Sequence, residues 1–218
     1  MQIKIRDPVS ALTHFSWAIL AIPVTILLVV FAANYASVQH VVSFAIFGMS
    51  MVLLYTASTV YHLFDVSDRV RLILKKIDHM MIFVLIAGTY TPMCLVILRG
   101  AWGVSVLATV WGIALVGILL KAFWHNMPRV FSTIIYIAMG WVVVFAIVPL
   151  NRALPVGGMV LLVSGGLVYT LGGVIYAIKW PRLNFKFFNF HDLFHIFVMG
   201  GTALHVVLMF VYVLPTQI

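Results

Sequence analysis

The sequence predicts an all-α fold, a polytopic membrane protein built as a bundle of seven transmembrane helices, and three observations predict it. Hydrophobic residues fill 64% of the 218 positions and charged residues only 8%, outside the range of soluble globular domains. Seven apolar stretches each reach the roughly 20 residues that a helix needs to cross hydrocarbon. Eleven of the thirteen Lys and Arg residues fall on one side when the chain is threaded through these stretches, the asymmetry that fixes membrane orientation.

The first stretch, about Ala11 to Ala33, exceeds the roughly 7 to 15 residues of a signal-peptide core and no small-residue cleavage site follows it, so it reads as a retained helix of a chain beginning near Met1. The second, Val41 to Leu63, closes with Ser58-Thr59-Val60-Tyr61-His62. The third, His79 to Leu98, contains Gly88-Thr89-Tyr90-Thr91-Pro92, and the proline removes a backbone donor and predicts a kink. Trp102 to Trp124 and Val130 to Leu150 form the fourth and fifth. The sixth, Val156 to Ala177, carries Gly165, Gly166, Gly172 and Gly173, and the seventh, Leu193 to Leu214, carries Gly200 and Gly201. Such small residues let helix backbones approach closely in lipid. The short connections leave residues 1–218 as a single seven-transmembrane domain.

Lys4, Arg6, Arg69, Arg71, Lys75, Lys76, Lys121, Arg129, Lys179, Arg182 and Lys186 share one side, and Arg99 and Arg152 the other. This places the N-terminus in the cytoplasm and the C-terminus outside. Asp7, Asp65, Asp68, Asp78 and Asp192, the complete set of acidic residues, fall on the cytoplasmic side too. A net charge of +8 distributed this way is a topology signal, and nucleic-acid binding is excluded as a reading. Cys94 is the one cysteine, which excludes an intramolecular disulfide and a cysteine-rich metal site.

His62, His191 and His195 lie at the cytoplasmic ends of the second and seventh stretches. A histidine at that depth is costly unless it pairs, lines a wet cavity or binds a metal. His191 and His195 are four apart, so one helical face can present both to one ion, a spacing zinc commonly uses. Three imidazoles leave a fourth tetrahedral position for water, the pattern of catalytic zinc, although nickel, copper and iron also accept imidazole. Ser58 shares a face with His62, and Asp78 is expected at the start of the third helix. Asp78 could accept the water's proton or orient a ligand imidazole, while Ser58 could donate to the oxyanion or hold the water, and spacing does not choose among these roles.

Each residue also has a plainer account. An H-x-x-x-H pair is at home where a helix leaves the membrane. Asp78 could complement the positive end of its helix, and Ser58 could bond back to its own backbone. Asn189 and Asp192 fit an N-cap with an acidic partner at the third helical position, which keeps Asp192 out of the ligand set. His14 and His79 read as interface histidines more readily than as members of the site. His205 lies ten residues past His195, some 15 Å deeper, beyond reach of the same ion.

The segments Ala57-Ser58-Thr59-Val60-Tyr61-His62, Lys76-Ile77-Asp78-His79, Ala87-Gly88-Thr89-Tyr90-Thr91-Pro92, Ala138-Met139-Gly140-Trp141 and His191 to His195 leading to Gly200 and His205 together resemble the membrane family of bacterial hemolysin III proteins and the progestin and adipoQ receptors, with alkaline ceramidases more distant. The resemblance spans essentially the whole chain. It implies zinc held by His62, His191 and His195 with Ser58 and Asp78 beside the metal's water, ceramidase-like hydrolysis of an amide or ester of a membrane lipid, and, from the compact loops, a bacterial inner-membrane location. Asp192 stands where many bacterial relatives carry a small apolar residue. The alternative reading is a non-enzymatic lipid-responsive receptor or cytolysin-like protein with a structural zinc. A proton relay through His14, His62, His79 and His205 ranks last, because nothing acidic accompanies His205 at depth. The sequence leaves the oligomeric state unknown.

Overall fold

Hydropathy sets where a chain meets the membrane, whereas local polar chemistry sets where its helices begin and end, and here the two do not coincide. The computed structural model describes residues 5–124, 126–183, 185 and 188–217. Its helices are α1 (Pro8–Tyr35), α2 (Val38–Leu63), α3 (Asp68–Pro92), α4 (Gly100–Phe123), α5 (Arg129–Gly140), α6 (Ile147–Ala153), α7 (Val156–Ile178) and α8 (Phe190–Leu208). With α5 and α6 joined end to end through a 3₁₀ segment, they make seven spans long and apolar enough to cross a membrane. Lys4 and Lys186, two of the basic residues counted toward orientation, lie outside the described residues.

The third helix starts at Asp68, well before the expected His79. Residues 68–76 carry too much charge for hydrocarbon yet contain no helix breaker, so the helix continues past the membrane boundary. Arg71 pairs with Asp68 one turn away, and Lys76 Nζ donates to the carbonyl of Ala122 at 2.8 Å, tying α3 to the last turn of α4. Asp78 is therefore not a helix-start residue, as the sequence suggested. Asp68 occupies the first turn, and Asp78 sits more than two turns inside.

After Pro92 the α3 winding loosens into a π-helical segment, Met93–Leu98, the local consequence of the missing proline N–H. The fifth span, expected as one helix, breaks into α5, a 3₁₀ segment at Trp141–Ala146 and α6. Gly140 and Pro149 bracket the change. Tyr90 steadies it from α3: its hydroxyl donates to the Gly140 carbonyl at 2.6 Å and accepts the Val143 N–H at 2.8 Å.

The spans neighbour one another in the order α1, α2, α3, α4, α5, α7, α8, and α8 closes back on α1. Large apolar side chains such as Leu12, Phe15, Ile19, Leu115 and Val156 face outward, while Ser43, Ser50, Ser58, Thr59, Asp78 and Thr202 are buried. This inside-out pattern suits a lipid solvent, in which close packing and interhelical bonds hold helices together. Several buried hydroxyls bond back one turn, among them Thr59 to Tyr55, Thr89 to Leu85 and Thr91 to Ala87. The α7–α8 contact is as close as its glycines predict: a Cβ on Gly165 would meet the His205 ring at 2.4 Å, and one on Gly201 the Tyr169 ring at 2.6 Å. Gly166 departs from that expectation and faces the bundle cavity instead.

Candidate metal centre

Helix α2 ends at Leu63, so His62 emerges on its last turn. Helix α8 begins at Phe190, three residues earlier than hydropathy alone places it, and so brings His191 onto its first turn with His195 one turn further. The early start has a local cause. Asn189 Oδ1 accepts the His191 N–H and Asp192 Oδ2 accepts the Asn189 N–H, each at 2.8 Å, which is the expected capping box. Ser10 Oγ of α1 donates to the other Asp192 oxygen at 2.5 Å, locking that cap to the start of α1.

These helix ends bring His62, His191 and His195 together, with one nitrogen of each within 4.8 Å of the others. The Nε2 atoms of His62 and His191 are 3.2 Å apart. Two nitrogens on one tetrahedral zinc stand about 3.4 Å apart, given Zn–N bonds of about 2.0–2.1 Å, so this pair already has the spacing of two ligands.

Asp7 was not singled out from the sequence as part of the site. His62 Nδ1 donates to Asp7 Oδ2 at 3.0 Å, and because a carboxylate only accepts, Nδ1 carries the proton and Nε2 keeps its lone pair toward the cluster. That is the outer-shell arrangement which orients a metal-binding imidazole. Arg6 donates to the same carboxylate oxygen at 2.8 Å. The bond from His62, reinforced by Arg6, outweighs partial burial and holds the Asp7 carboxyl down at about 2. The two residues are 55 positions apart, and no spacing rule connects them.

Ser58 and Asp78 are buried and line the same cavity as His191 and His195. Ser58 lies against Asp78, yet its hydroxyl closes no well-formed hydrogen bond among the described residues. His14 is buried inside the bundle, 3% exposed, and its ring stacks on His195 with centroids 3.6 Å apart. Both of its nitrogens, and Nδ1 of His195, are buried without partners among the described residues. His79 is likewise buried; Tyr176 hydroxyl lies 3.2 Å from its Nε2, and Tyr136 donates to its carbonyl at 2.9 Å. His205 stays apart, because α8 runs unbroken between it and His195.

The donor set fits a borderline metal. Three imidazoles without thiolates suit zinc among ions that accept nitrogen, the His62 tautomer is set correctly, and buried nitrogen is left unsatisfied at His195. From this cluster a cavity of about 190 Å³ runs into the bundle past Leu54, Ile82, Ile86, Leu162 and Val198 toward His205.

A family profile described as haemolysin-III related matches residues 3–206. The chain is 42% identical over 194 residues to the hemolysin-3 homolog of Bacillus subtilis (strain 168), covering 89% of this chain and 88% of that protein. It is 40% identical over 207 residues to hemolysin-3 of Bacillus cereus, covering 95% and 91%. The human monocyte to macrophage differentiation factor is 26% identical over 164 residues, covering 73% and 66%.

Proposed function

The chain belongs to the haemolysin-III-related family of membrane proteins, and from that premise we propose that it is a zinc-dependent hydrolase of an amide or ester bond in a membrane lipid, working at the inner face of a bacterial plasma membrane. The observation that carries this reading is the convergence of three imidazoles, two of which, His191 and His195, line an apolar cavity whose wall also holds Asp78 and Ser58.

His62, His191 and His195 would hold the metal. A zinc ion bound there would polarise a carbonyl and bring the pKa of a water to about 7. Asp78 takes the proton that the water loses as its oxygen joins the carbonyl carbon. As the C–N or C–O bond breaks, Asp78 returns that proton to the leaving amine or alcohol, leaving a carboxylic acid on the other fragment. Ser58, beside Asp78, donates to the oxygen on which negative charge develops. Asp7 holds His62 in its ligating tautomer, and the cavity seats the lipid chain away from water.

The test is turnover by the purified full-length protein, with and without zinc, on a panel of lipid amides and esters that includes a ceramide. Cleavage that requires zinc and disappears in His191→Ala and Asp78→Asn is the expected result. A protein that binds one metal per chain and turns over nothing in the panel refutes the reading.

A further inference from the structure

The deep half of the cavity poses a separate question, because a tunnel meant only for hydrocarbon needs no polar lining. Around this half stand Thr89, Tyr90, Trp141, Tyr169, Thr170 and His205. Five of them are committed to the protein. Thr89 donates to the Leu85 carbonyl, Tyr90 bonds Gly140 and Val143, Trp141 Nε1 donates to Thr170 Oγ1, and Thr170 donates to Gly166. Tyr169 hydroxyl lies 2.8 Å from Thr202 Oγ1, which Tyr55 also reaches at 2.6 Å. Thr202 donates its own proton to the Val198 carbonyl, so both tyrosines donate to it.

His205 is different. Its Nδ1 lies 2.7 Å from the Gly201 carbonyl, and a carbonyl only accepts, so Nδ1 carries the proton. With no carboxylate at this depth the ring is neutral, which leaves Nε2 as a lone-pair acceptor. That atom has no hydrogen-bond partner among the described residues. The ring is 4% exposed, stacked on Tyr169 at 5.4 Å and laid against Gly165, so it cannot swing away. It borders both the main cavity and a smaller one of about 60 Å³ that continues beyond it. An acceptor fixed at the neck of an apolar tunnel is a recognition element for a donor.

We propose that the tunnel recognises a lipid chain bearing a mid-chain hydrogen-bond donor, a hydroxyl in the simplest case, whose proton is accepted by His205 Nε2. This rests on the hydrolase reading only in placing the lipid carbonyl at the histidine cluster. Ten residues of unbroken helix separate His195 from His205, about 15 Å at 1.5 Å per residue. An extended chain advances roughly 1.2 Å per bond, about 3.5 Å for three bonds, so the donor falls about 12 bonds from the carbonyl. The unsubstituted remainder of the chain passes into the smaller cavity.

The experiment measures binding of three amides to zinc-loaded full-length protein in detergent: octadecanamide, its derivative hydroxylated at about carbon 12, and the derivative hydroxylated next to the carbonyl. The mid-chain hydroxyl is expected to bind roughly five- to tenfold tighter than either, the worth of one net hydrogen bond. In His205→Phe, which keeps a flat ring over Gly165, that preference disappears while octadecanamide affinity and zinc content are unchanged. Should His205→Phe fail to fold, the positional comparison on the unaltered protein decides alone. Equal affinity for the three amides, no binding of any, or a preference that survives His205→Phe overturns the proposal. A mid-chain preference without cleavage of any amide supports it while counting against the hydrolase reading, which separates the two.

Discussion

Removing the Asp7 carboxylate tests the claim that the first residues before α1 belong to the metal site. Asp7 accepts the Nδ1–H of His62 at 3.0 Å, and the His62 side chain is 3% exposed, so no solvent route replaces that bond without moving the ring. In Asp7→Ala the imidazole loses the partner that fixes its tautomer, and in a fraction of molecules the proton transfers to Nε2, the nitrogen that faces His191. Outer-shell partners of this kind are worth about 10- to 100-fold in metal affinity, or about 1.4–2.8 kcal/mol. Asp7 itself is 44% exposed and shares one oxygen between His62 and Arg6, which places the loss near the middle of that range and not at its top. The expected weakening is about 30-fold for Asp7→Ala and about tenfold for Asp7→Asn, which keeps a neutral acceptor. Competition of the purified protein against a chelating dye reads these affinities, with Asp68→Asn as a control that leaves zinc binding unchanged, because Asp68 pairs with Arg71 away from the cluster. Asp7→Ala binding zinc as tightly as the unaltered protein refutes the reasoning, and so does Asp7→Asn binding more weakly than Asp7→Ala.

The remaining predictions address the ligands, the proton competition and the fold. His191→Ala reduces zinc from one per chain to near zero by elemental analysis; if the protein lyses cells, lysis that persists in this variant is independent of the metal. Zinc binds neutral imidazole in competition with protons, so affinity falls as the solution is acidified; a zinc titration carried into strong acid that shows no loss contradicts an all-histidine ligand set. Tyr90→Phe strands the Gly140 carbonyl and the Val143 N–H at the break in the fifth span, costing about 1–3 kcal/mol; thermal unfolding in detergent reads this as a lower Tm at unchanged zinc content.

The seven spans were legible in the sequence because membrane crossing is a sum over some 20 residues and no single position can spoil it. The imidazole pair in α8 was legible for a different reason: a four-residue repeat on a helix is a local geometric rule, and the capping box of Asn189 and Asp192 marks where that helix starts. Asp7, the stacking of His14 on His195 and the Ser10 bond to Asp192 were not legible, since each joins α1 or its approach to a distant helix. The start of α3 was misread because a hydropathy window ends where charge begins, although Arg69, Arg71, Lys75 and Lys76 are good helix formers. The broken fifth span was marked by Gly140 and Pro149, but the hydroxyl that stabilises the break comes from Tyr90 on α3, 50 residues away.

Among the described residues, most of the polar atoms that the bundle leaves unpaired lie near the histidine cluster, and His205 Nε2 is the exception at depth. The buried side-chain atoms without partners among the described residues are Arg6 Nη1, His14 Nδ1 and Nε2, Ser58 Oγ, Arg129 Nε and His195 Nδ1. Arg6 contacts Asp7, His14 stacks on His195, Ser58 lies one turn before His62, and Arg129 lies over Tyr176, whose ring meets His191. All six atoms therefore gather at the histidine end, whereas Thr89, Thr91 and Thr202 further along the bundle are satisfied. Each such atom costs about 1–3 kcal/mol, a sum that random imperfection would scatter through the bundle. An ion that merely braced α2 against α8 accounts for a nitrogen of His195. On the hydrolase reading, Ser58, which lies against Asp78, and His14, which stacks on His195, would in addition meet a polar group of the substrate.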